Sequence, residues 1–257
     1  MSENISSNVL FHFTRSMDAV KSILKFGFFP HYCPEYSLER EDKEAALAHR
    51  HPSAAAPMVC FCDLPLSLIG KHLREYGNFG IGLAKTWGVQ NGVAPVIYTH
   101  SKAKTRPAVS RLTTRARKGV CNSEVRDLEF LAAYTKPFKG HAWRNNRFQK
   151  KVVRFYDERE WRYVPVIRRS EPLFLDFKEY NRTSRRRALH DALKKEHSLK
   201  ITPDVIQYLI VPYDKKEENI LELHDYVMRL YGRHWGHKDA VLVGTTIMTD
   251  DCIKEDI

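Results

Sequence analysis

The sequence predicts an α+β fold with mostly antiparallel strands, and three observations support this prediction. Short apolar and aromatic runs are interspersed with amphipathic segments, without the regular strand–helix alternation of a doubly wound sheet. The chain has 257 residues, of which 43% are hydrophobic and 28% charged, as in ordinary globular proteins. Because no internal repeat or long linker divides the chain, we predict a single domain over residues 1–257.

The first elements have recognisable boundary residues. Residues 9–14 are aromatic and β-branched, which predicts a strand. A helix follows, because Ser16 opens it, apolar residues recur at spacings of three and four, and Gly27 ends it. A helical patch is expected at residues 39–49, followed by a loop from Pro52 to Pro57.

The next elements are bounded in the same way. Met58–Cys62 is apolar and predicts a second strand. Asp63 is a candidate cap for a helix that runs to about Tyr76. Residues 93–98 predict a strand that starts or lies at an edge, because Pro95 has no N–H for a neighbouring strand.

The second half of the chain is assigned by apolar periodicity. Helices are predicted at residues 127–134, 182–195 and 217–231. Strands are predicted at residues 161–167, 205–212 and 241–248, and residues 136–149 are predicted to be irregular.

The charge balance indicates a polyanionic partner. The formal net charge is +11, and nucleic acid is the most frequent partner of such a surface. Residues 99–118 contain no acidic residue, and the helix at 182–195 is also basic. The candidate nucleic-acid-binding residues are Lys102, Lys104, Arg106, Arg111, Arg115, Arg117, Arg185 and Arg186. A solvated basic face is the alternative interpretation.

Aromatic residues interleaved with cations favour single-stranded RNA as the polyanion. Phe138, Trp143 and Phe148 alternate with Lys139, Arg144 and Arg147. Such a mixture suits stacking on unpaired bases and contact with phosphates.

Several classes of protein are excluded by the sequence. The five cysteines are scattered without a Cys-x-x-Cys pair, so reduced thiols are expected, and neither a disulfide framework nor zinc. No apolar stretch approaches the roughly 20 residues that span a bilayer. The polar N-terminus has no secretory signal pattern. We therefore expect a cytoplasmic protein that has no membrane contact and no metal.

Two carboxylates stand out in the segment from Tyr156 to Tyr163. Glu158 and Glu160 lie two residues apart before a strand, so on an extended chain they project to the same side. One interpretation is a carboxylate that stabilises an oxocarbenium ion in glycosyl-bond chemistry. The alternative is a strand edge with Glu158 in solvent and Glu160 paired to a local arginine.

His12 and Thr14 lie on the first predicted strand. A histidine between phenylalanines is either a hydrogen-bonded core residue or a group that contacts the ribose or amide of a bound nucleotide. Both interpretations stay open on the sequence alone.

Five segments resemble the AbiGi family of abortive-infection proteins, which act in bacterial phage defence. The segments are His-Phe-Thr14, the helix end before Gly27-Phe-Phe-Pro30, Met58-Val-Cys-Phe-Cys-Asp-Leu-Pro65, Tyr76 to Trp87 with Pro95-Val-Ile-Tyr98, and Glu158-x-Glu160-Trp-Arg162. The resemblance covers roughly residues 9–170 and implies a role in limiting phage spread.

The same order of elements is more distantly similar to the ADP-ribosyltransferase fold, a split antiparallel β-sandwich with surrounding helices and NAD in its cleft. This likeness implies that His12 contacts the NAD ribose, that Tyr76 packs on nicotinamide and that Thr14 is a further cofactor-binding residue. It implies that Glu160 orients the attack on the nicotinamide ribose, with Glu158 as its acidic partner.

From these likenesses we predict an NAD-dependent ADP-ribosyltransferase toxin of an anti-phage abortive-infection system. NAD would be its co-substrate, nucleic acid its acceptor, with RNA favoured over DNA, and an antitoxin protein its partner. The alternative is a non-catalytic antitoxin or regulator that binds nucleic acid or a toxin. An NAD glycohydrolase without a macromolecular acceptor is a third hypothesis.

Overall fold

The computed structural model describes residues 6–35, 54–100, 102–105, 107–109, 111–112, 122–144, 147–168 and 171–252. They form two compact units. Unit 1 comprises Met1–Phe29, Cys60–Ala94 and Ser198–Ile257, and unit 2 comprises Pro30–Val59 and Pro95–His197. Both units mix helices and strands, which confirms the predicted α+β class.

Short strands and helices follow one another along the described part of the chain. The strands are β1 (Val9–Thr14), β2 (His31–Glu35), β3 (Ala54–Cys62), β4 (Phe79–Ala84), β5 (Ala94–Pro95), β6 (Ile97–Thr99), β7 (Thr135–Pro137), β8 (Gly140–Arg144), β9 (Arg147–Val153), β10 (Glu160–Tyr163), β11 (Leu175–Asp176), β12 (Ile206–Val211) and β13 (Ile247–Thr249). The α-helices are α1 (Met17–Phe26), α2 (Gly70–Tyr76), α3 (Lys85–Gln90), α4 (Asn122–Ala133), α5 (Phe177–Tyr180), α6 (Thr183–Glu196), α7 (Lys216–His234) and α8 (His237–Gly244). Short 3-10 helices occur at Leu66–Leu68, Phe155–Glu158 and Pro203–Val205.

Unit 1 is organised by a sheet with the strand order β13–β12–β4–β1. The β12–β13 pair is parallel, whereas β4 pairs antiparallel with both β12 and β1. Glycine in β4 leaves room for aromatic rings, since a Cβ at Gly82 would lie 2.8 Å from Cε1 of Phe11. Phe11, Leu73 and Ile210 are buried in the core that forms against this sheet.

Two helices of unit 1 pack together through apolar and polar contacts. Val20 and Leu24 of α1 and Val227 of α7 are buried. The Tyr231 hydroxyl donates to the Leu24 carbonyl at 3.2 Å, which satisfies one of the carbonyls at the end of α1.

Unit 2 contains three groups of paired strands. β3 pairs antiparallel with β2 and with β11. β6 and β7 form a parallel pair, and β8 and β9 form an antiparallel hairpin. The start of β10 is held by the Val96 N–H, which donates to the Glu160 carbonyl at 2.9 Å.

Most predicted elements are confirmed. α1 has the predicted boundaries, with the Ser16 hydroxyl accepting from the Ala19 N–H at 3.2 Å and Gly27 at φ 82°. The predicted strands at residues 9–14 and 205–212 and the predicted helices at 127–134, 182–195 and 217–231 correspond to β1, β12, α4, α6 and α7.

Four predictions about secondary structure are wrong. Residues 54–57 belong to β3 and are not a loop, and residues 136–149 include parts of β7, β8 and β9. The strand predicted at 161–167 ends at Tyr163, and residues 241–244 belong to α8. The helical patch predicted at residues 39–49 lies outside the described residues.

The predicted cap at Asp63 is also wrong. Its carboxylate accepts hydrogen bonds from the Ser6 hydroxyl at 2.8 Å and the Ser7 N–H at 3.0 Å. Lys85 pairs with the same carboxylate at 2.7 Å. Asp63 therefore ties the N-terminal segment to α3, and the turn after β3 begins without a side-chain cap.

Candidate functional site

Glu158 and Glu160 converge on one buried lysine in unit 2. Glu158 ends a 3-10 helix, Arg159 has a left-handed φ of 42°, and Glu160 begins β10. Lys136 of β7 donates to both carboxylates at 2.7 Å. Glu158 and Glu160 are 5% and 7% exposed, so both carboxylates face protein and little solvent.

Arg162 completes the cluster from the same strand. Residues two apart in a strand project to one side, and the Arg162 Nε donates to Glu160 Oε1 at 2.6 Å. Its two terminal nitrogens donate to the Ala133 carbonyl at 2.6 Å and to Glu35 Oε1 at 3.0 Å. Three carboxylates and two cations thus form one cluster, which we call the carboxylate cluster (Glu35, Lys136, Glu158, Glu160, Arg162), with a formal charge of −1.

The pKa shifts of Glu160 and Lys136 favour the charged form of both groups. Burial alone would raise the pKa of Glu160, but Arg162 and Lys136 outweigh it and lower that pKa. Burial alone would lower the pKa of Lys136, but Glu160 and Glu158 raise it well above its usual value. A carboxylate held in this way is poorly suited to accept a proton near neutral pH.

Of the two interpretations of these glutamates, the structure bears on the second. Glu160 is paired to a local arginine, as the second interpretation predicted, whereas a solvated Glu158 is wrong. Lys136 and Glu35 were not identified from the sequence. The sequence signal for Lys136 was its place in the short strand Thr135–Pro137. This signal was overlooked because residues 136–149 were predicted to be irregular.

His12, Thr14 and Tyr76 lie in unit 1. His12 Nδ1 lies 2.8 Å from the Cys60 carbonyl oxygen. The His12 ring meets Phe28 edge to face at 5.0 Å, which matches the core-histidine alternative. Tyr76 ends α2 and stacks on His72 at 5.6 Å. Since Glu158 and Glu160 belong to unit 2, joint binding of NAD by the two sets stays a prediction.

A cleft of about 510 Å³ in unit 1 includes Arg15 and Gly77, the residues that follow Thr14 and Tyr76. Its charged lining residues are Arg15, Arg74, Glu75, Asp214 and Lys215. Three cations around one cleft could contact the phosphates of a nucleotide.

The predicted nucleic-acid-binding residues are placed in part. Lys102, Lys104 and Arg111 are exposed, and Arg106, Arg115 and Arg117 lie outside the described residues. Arg185 and Arg186 belong to α6. Arg185 pairs with Glu179 at 3.3 Å with a side chain that is 52% exposed.

An aromatic series in unit 2 connects the β8–β9 hairpin to α5. Phe148 meets Trp143 at 4.8 Å, Trp143 meets Phe177 at 5.8 Å, and Phe177 stacks on Tyr180 at 6.0 Å, all between ring centroids. The Arg186 guanidinium lies 4.8 Å from the Tyr180 ring centroid. We call Phe148, Trp143, Phe177 and Tyr180 the aromatic ladder. All four residues are half-buried.

The excess positive charge belongs to unit 2. Of the 42 lysine and arginine residues 29 lie there, with 16 of the 31 aspartate and glutamate residues. The formal charge of unit 2 is therefore +13, whereas that of unit 1 is −2. A polyanion would be attracted to unit 2.

Two kinds of feature are absent from the part of the chain that the structure describes. It contains no group of three His, Cys, Asp or Glu residues placed to hold a metal ion. None of its helices is long and apolar enough to cross a membrane.

The packing of α6 against β2 is predicted to weaken in mild acid. His190 Nε2 accepts the Tyr32 N–H at 3.2 Å, and burial, His31 and Arg186 lower the pKa of His190 from 6.5 to about 4. Between pH 6.5 and about 4, His190 is protonated in the unfolded chain but stays largely neutral in the folded chain. The free energy of unfolding therefore decreases as pH falls across this window. A His190→Gln variant should lose less stability over the same range in urea unfolding. A stability difference between the two proteins that is constant with pH would contradict this prediction.

Comparisons with known proteins place the chain in a family. A family model described as "Putative abortive phage resistance protein AbiGi, antitoxin" matches residues 27–212. An abortive phage resistance protein AbiGi from Lactococcus lactis subsp. cremoris is 32% identical over 146 residues.

The match to the Lactococcus protein covers 48% of this chain and 56% of that protein, so the chain spans about half the length of its relative. No solved structure matches the chain significantly, and the ADP-ribosyltransferase type of sandwich stays a prediction. The family model covers most of the chain, including the carboxylate cluster and the aromatic ladder, and the chain belongs to the AbiGi family of abortive phage resistance proteins.

Proposed function

We propose that this protein is a non-catalytic antitoxin or regulator of an abortive phage resistance system and that it binds nucleic acid through unit 2. The observation that carries the proposal is the carboxylate cluster. Glu160 uses both oxygens to accept from Arg162 and Lys136, at 2.6 to 3.2 Å. A carboxylate offers about four acceptor positions, so little capacity is left for a ribose hydroxyl.

Two further observations support a binding role. The description of the family model includes the word antitoxin, which fits a protein that acts by binding. The formal charge of +13 on unit 2 favours nucleic acid over an apolar or basic protein surface.

The NAD-dependent ADP-ribosyltransferase is the second candidate. The unit 1 cleft favours it, because residues adjacent to Thr14 and Tyr76 line this cleft together with three cations. In that case Glu160 would have to exchange a protein partner for the ribose, which requires Lys136 or Arg162 to move.

One experiment separates the two candidates. Purified protein is incubated with labelled NAD and total RNA, with DNA and protein acceptors in parallel, and binding of labelled RNA is measured in the same samples. We expect RNA binding without transfer of label and without release of nicotinamide. Transfer by the wild type would overturn the proposal.

Two variants identify the residues behind any transfer. Glu160→Gln tests the carboxylate, but it also disturbs a buried ion pair. Tyr76→Leu, in the other unit, therefore serves as a second variant, and thermal unfolding of both is compared with the wild type. Loss of transfer in both folded variants would establish the enzyme.

A further inference from the structure

We infer that the aromatic ladder binds the unpaired bases of single-stranded nucleic acid, while cations of α6 and β9 contact the phosphates. This inference rests on the proposed function and specifies its ligand. The ladder is a series of four rings in contact, with centroids 4.8, 5.8 and 6.0 Å apart, in which the first two pairs meet edge to face and Phe177 stacks on Tyr180. Base stacking on such rings tolerates any sequence, because every base has a π-face.

The four residues of the ladder are half-buried. Leu173, Leu175 and Leu193, in contrast, are buried core residues of the same unit. When a base covers partly hydrated apolar surface, the free energy of the complex decreases. Fully buried rings would not have this capacity.

Exposed cations lie on elements at the two ends of the ladder, which are β9 at Phe148 and the start of α6 after Tyr180. Arg182 immediately precedes α6, and Arg185 lies in its first turn. They pair with Glu179 at 2.7 and 3.3 Å, and their side chains are 56% and 52% exposed. Arg147 and Lys150 are exposed on β9. Glu179 fixes the two arginines near Tyr180 and reduces the local charge, but both guanidiniums keep donors for a phosphate, since each has five N–H groups.

Aromatic rings next to exposed cations favour binding of single strands over duplexes. In a duplex the bases stack on each other, and only their edges are accessible in the grooves. A row of rings cannot stack on them without unpairing the duplex, whereas a flexible single strand can present one base after another.

The test measures fluorescence anisotropy of single-stranded RNA, single-stranded DNA and duplex DNA of about 12 nucleotides, which is within the usual site size of single-strand binders. Wild-type protein should prefer both single strands to the duplex. The double variant Phe177→Leu/Tyr180→Leu keeps apolar side chains but removes two rings, and its affinity for single strands should fall by about tenfold or more.

The matched control is Tyr156→Leu. Tyr156 is 46% exposed in the same unit, but it stacks on Phe138 at 5.3 Å and lies outside the ladder. Its affinity should stay within about twofold of the wild type. In addition, single strands should quench Trp143 fluorescence, and a Trp143→Phe variant should keep most of the affinity while it loses that quenching.

The outcomes distinguish this inference from the proposed function. Equal binding of single strands and duplex, or full affinity in the folded double variant, would overturn the ladder but leave nucleic-acid binding intact. Absence of binding to all three probes would overturn both and would favour a protein toxin as the partner of unit 2.

Discussion

Replacing Arg162 with methionine is expected to lower the free energy of unfolding by about 3–5 kcal/mol. The Arg162 side chain is 1% exposed and pairs with Glu160 at 2.6 Å and Glu35 at 3.0 Å. Methionine fills much of the volume but leaves these carboxylates with Lys136 as the remaining cation of the cluster. The formal charge of the buried cluster then changes from −1 to −2, and an uncompensated buried charge is costly.

Urea unfolding followed by circular dichroism measures this change. The matched control is Arg168→Met, because Arg168 also pairs with a glutamate of unit 2, Glu196, at 3.0 Å, but its side chain is 70% exposed. The control should change stability by less than about 1 kcal/mol. If Arg162→Met lowered the free energy of unfolding as little as the control does, the ion pairs of the cluster would not be needed for stability. Glu160 would then again be a candidate catalytic residue.

This result bears directly on how Glu160 variants are interpreted. Loss of a measured activity after Glu160→Gln would ordinarily indicate catalysis. In this protein the same substitution removes an acceptor oxygen and the negative charge to which Arg162 and Lys136 donate, so unfolding alone can abolish function. Activity therefore has to be compared with stability in the same variant, as the Arg162 experiment allows.

Elements with strong local signals were predictable from the sequence. α1 combines a Ser16 cap, an apolar stripe and Gly27, whose φ of 82° suits glycine. In α1 the cause lies within a few residues of the effect. Glu158 and Glu160 do reach the same lysine, but the extended chain on which their predicted common side was based is wrong, because Glu158 ends a 3-10 helix and Arg159 has a left-handed conformation.

Features that depend on distant residues were not predictable. Lys136 reaches the glutamates from 22 and 24 residues away, and this pairing depends on how β7 and β10 are placed. Val241 to Gly244 is β-branched and apolar, which predicted a strand, but Ala240 and Val243 are buried at helical spacing in α8. Tertiary packing overrode local propensity there.

The β8–β9 hairpin was missed for a different reason. Its strands carry Arg147, Lys150 and Lys151 with half-buried aromatics in place of a fully apolar face. Such a hairpin lacks the clean alternation of a core strand. Arg147 and Lys150, which concealed the hairpin, are among the cations to which we assign phosphate contact in our proposal.

Nucleic-acid affinity should fall about a hundredfold when monovalent salt rises from about 50 to 200 mM. For single strands, the logarithm of affinity falls with the logarithm of salt by about 0.7 for each phosphate contacted. About five contacts, a number suggested by the exposed cations Arg147, Lys150, Arg182, Arg185 and Arg187, give a slope of about −3.5. A slope near zero would mean that binding by unit 2 depends on stacking or on a protein partner, and not on charge.

Neutralising two cations tests which surface makes the phosphate contacts that produce this salt dependence. Arg182→Gln/Arg185→Gln should make the slope shallower by about 1.4, since each lost phosphate contact removes about 0.7. The matched control is Arg229→Gln/Arg233→Gln in α7, which removes the same charge from exposed positions of unit 1 and should leave the slope unchanged. Equal effects of the two pairs would show that net charge alone attracts the nucleic acid, whereas a change confined to α6 would locate the phosphate contacts beside the aromatic ladder.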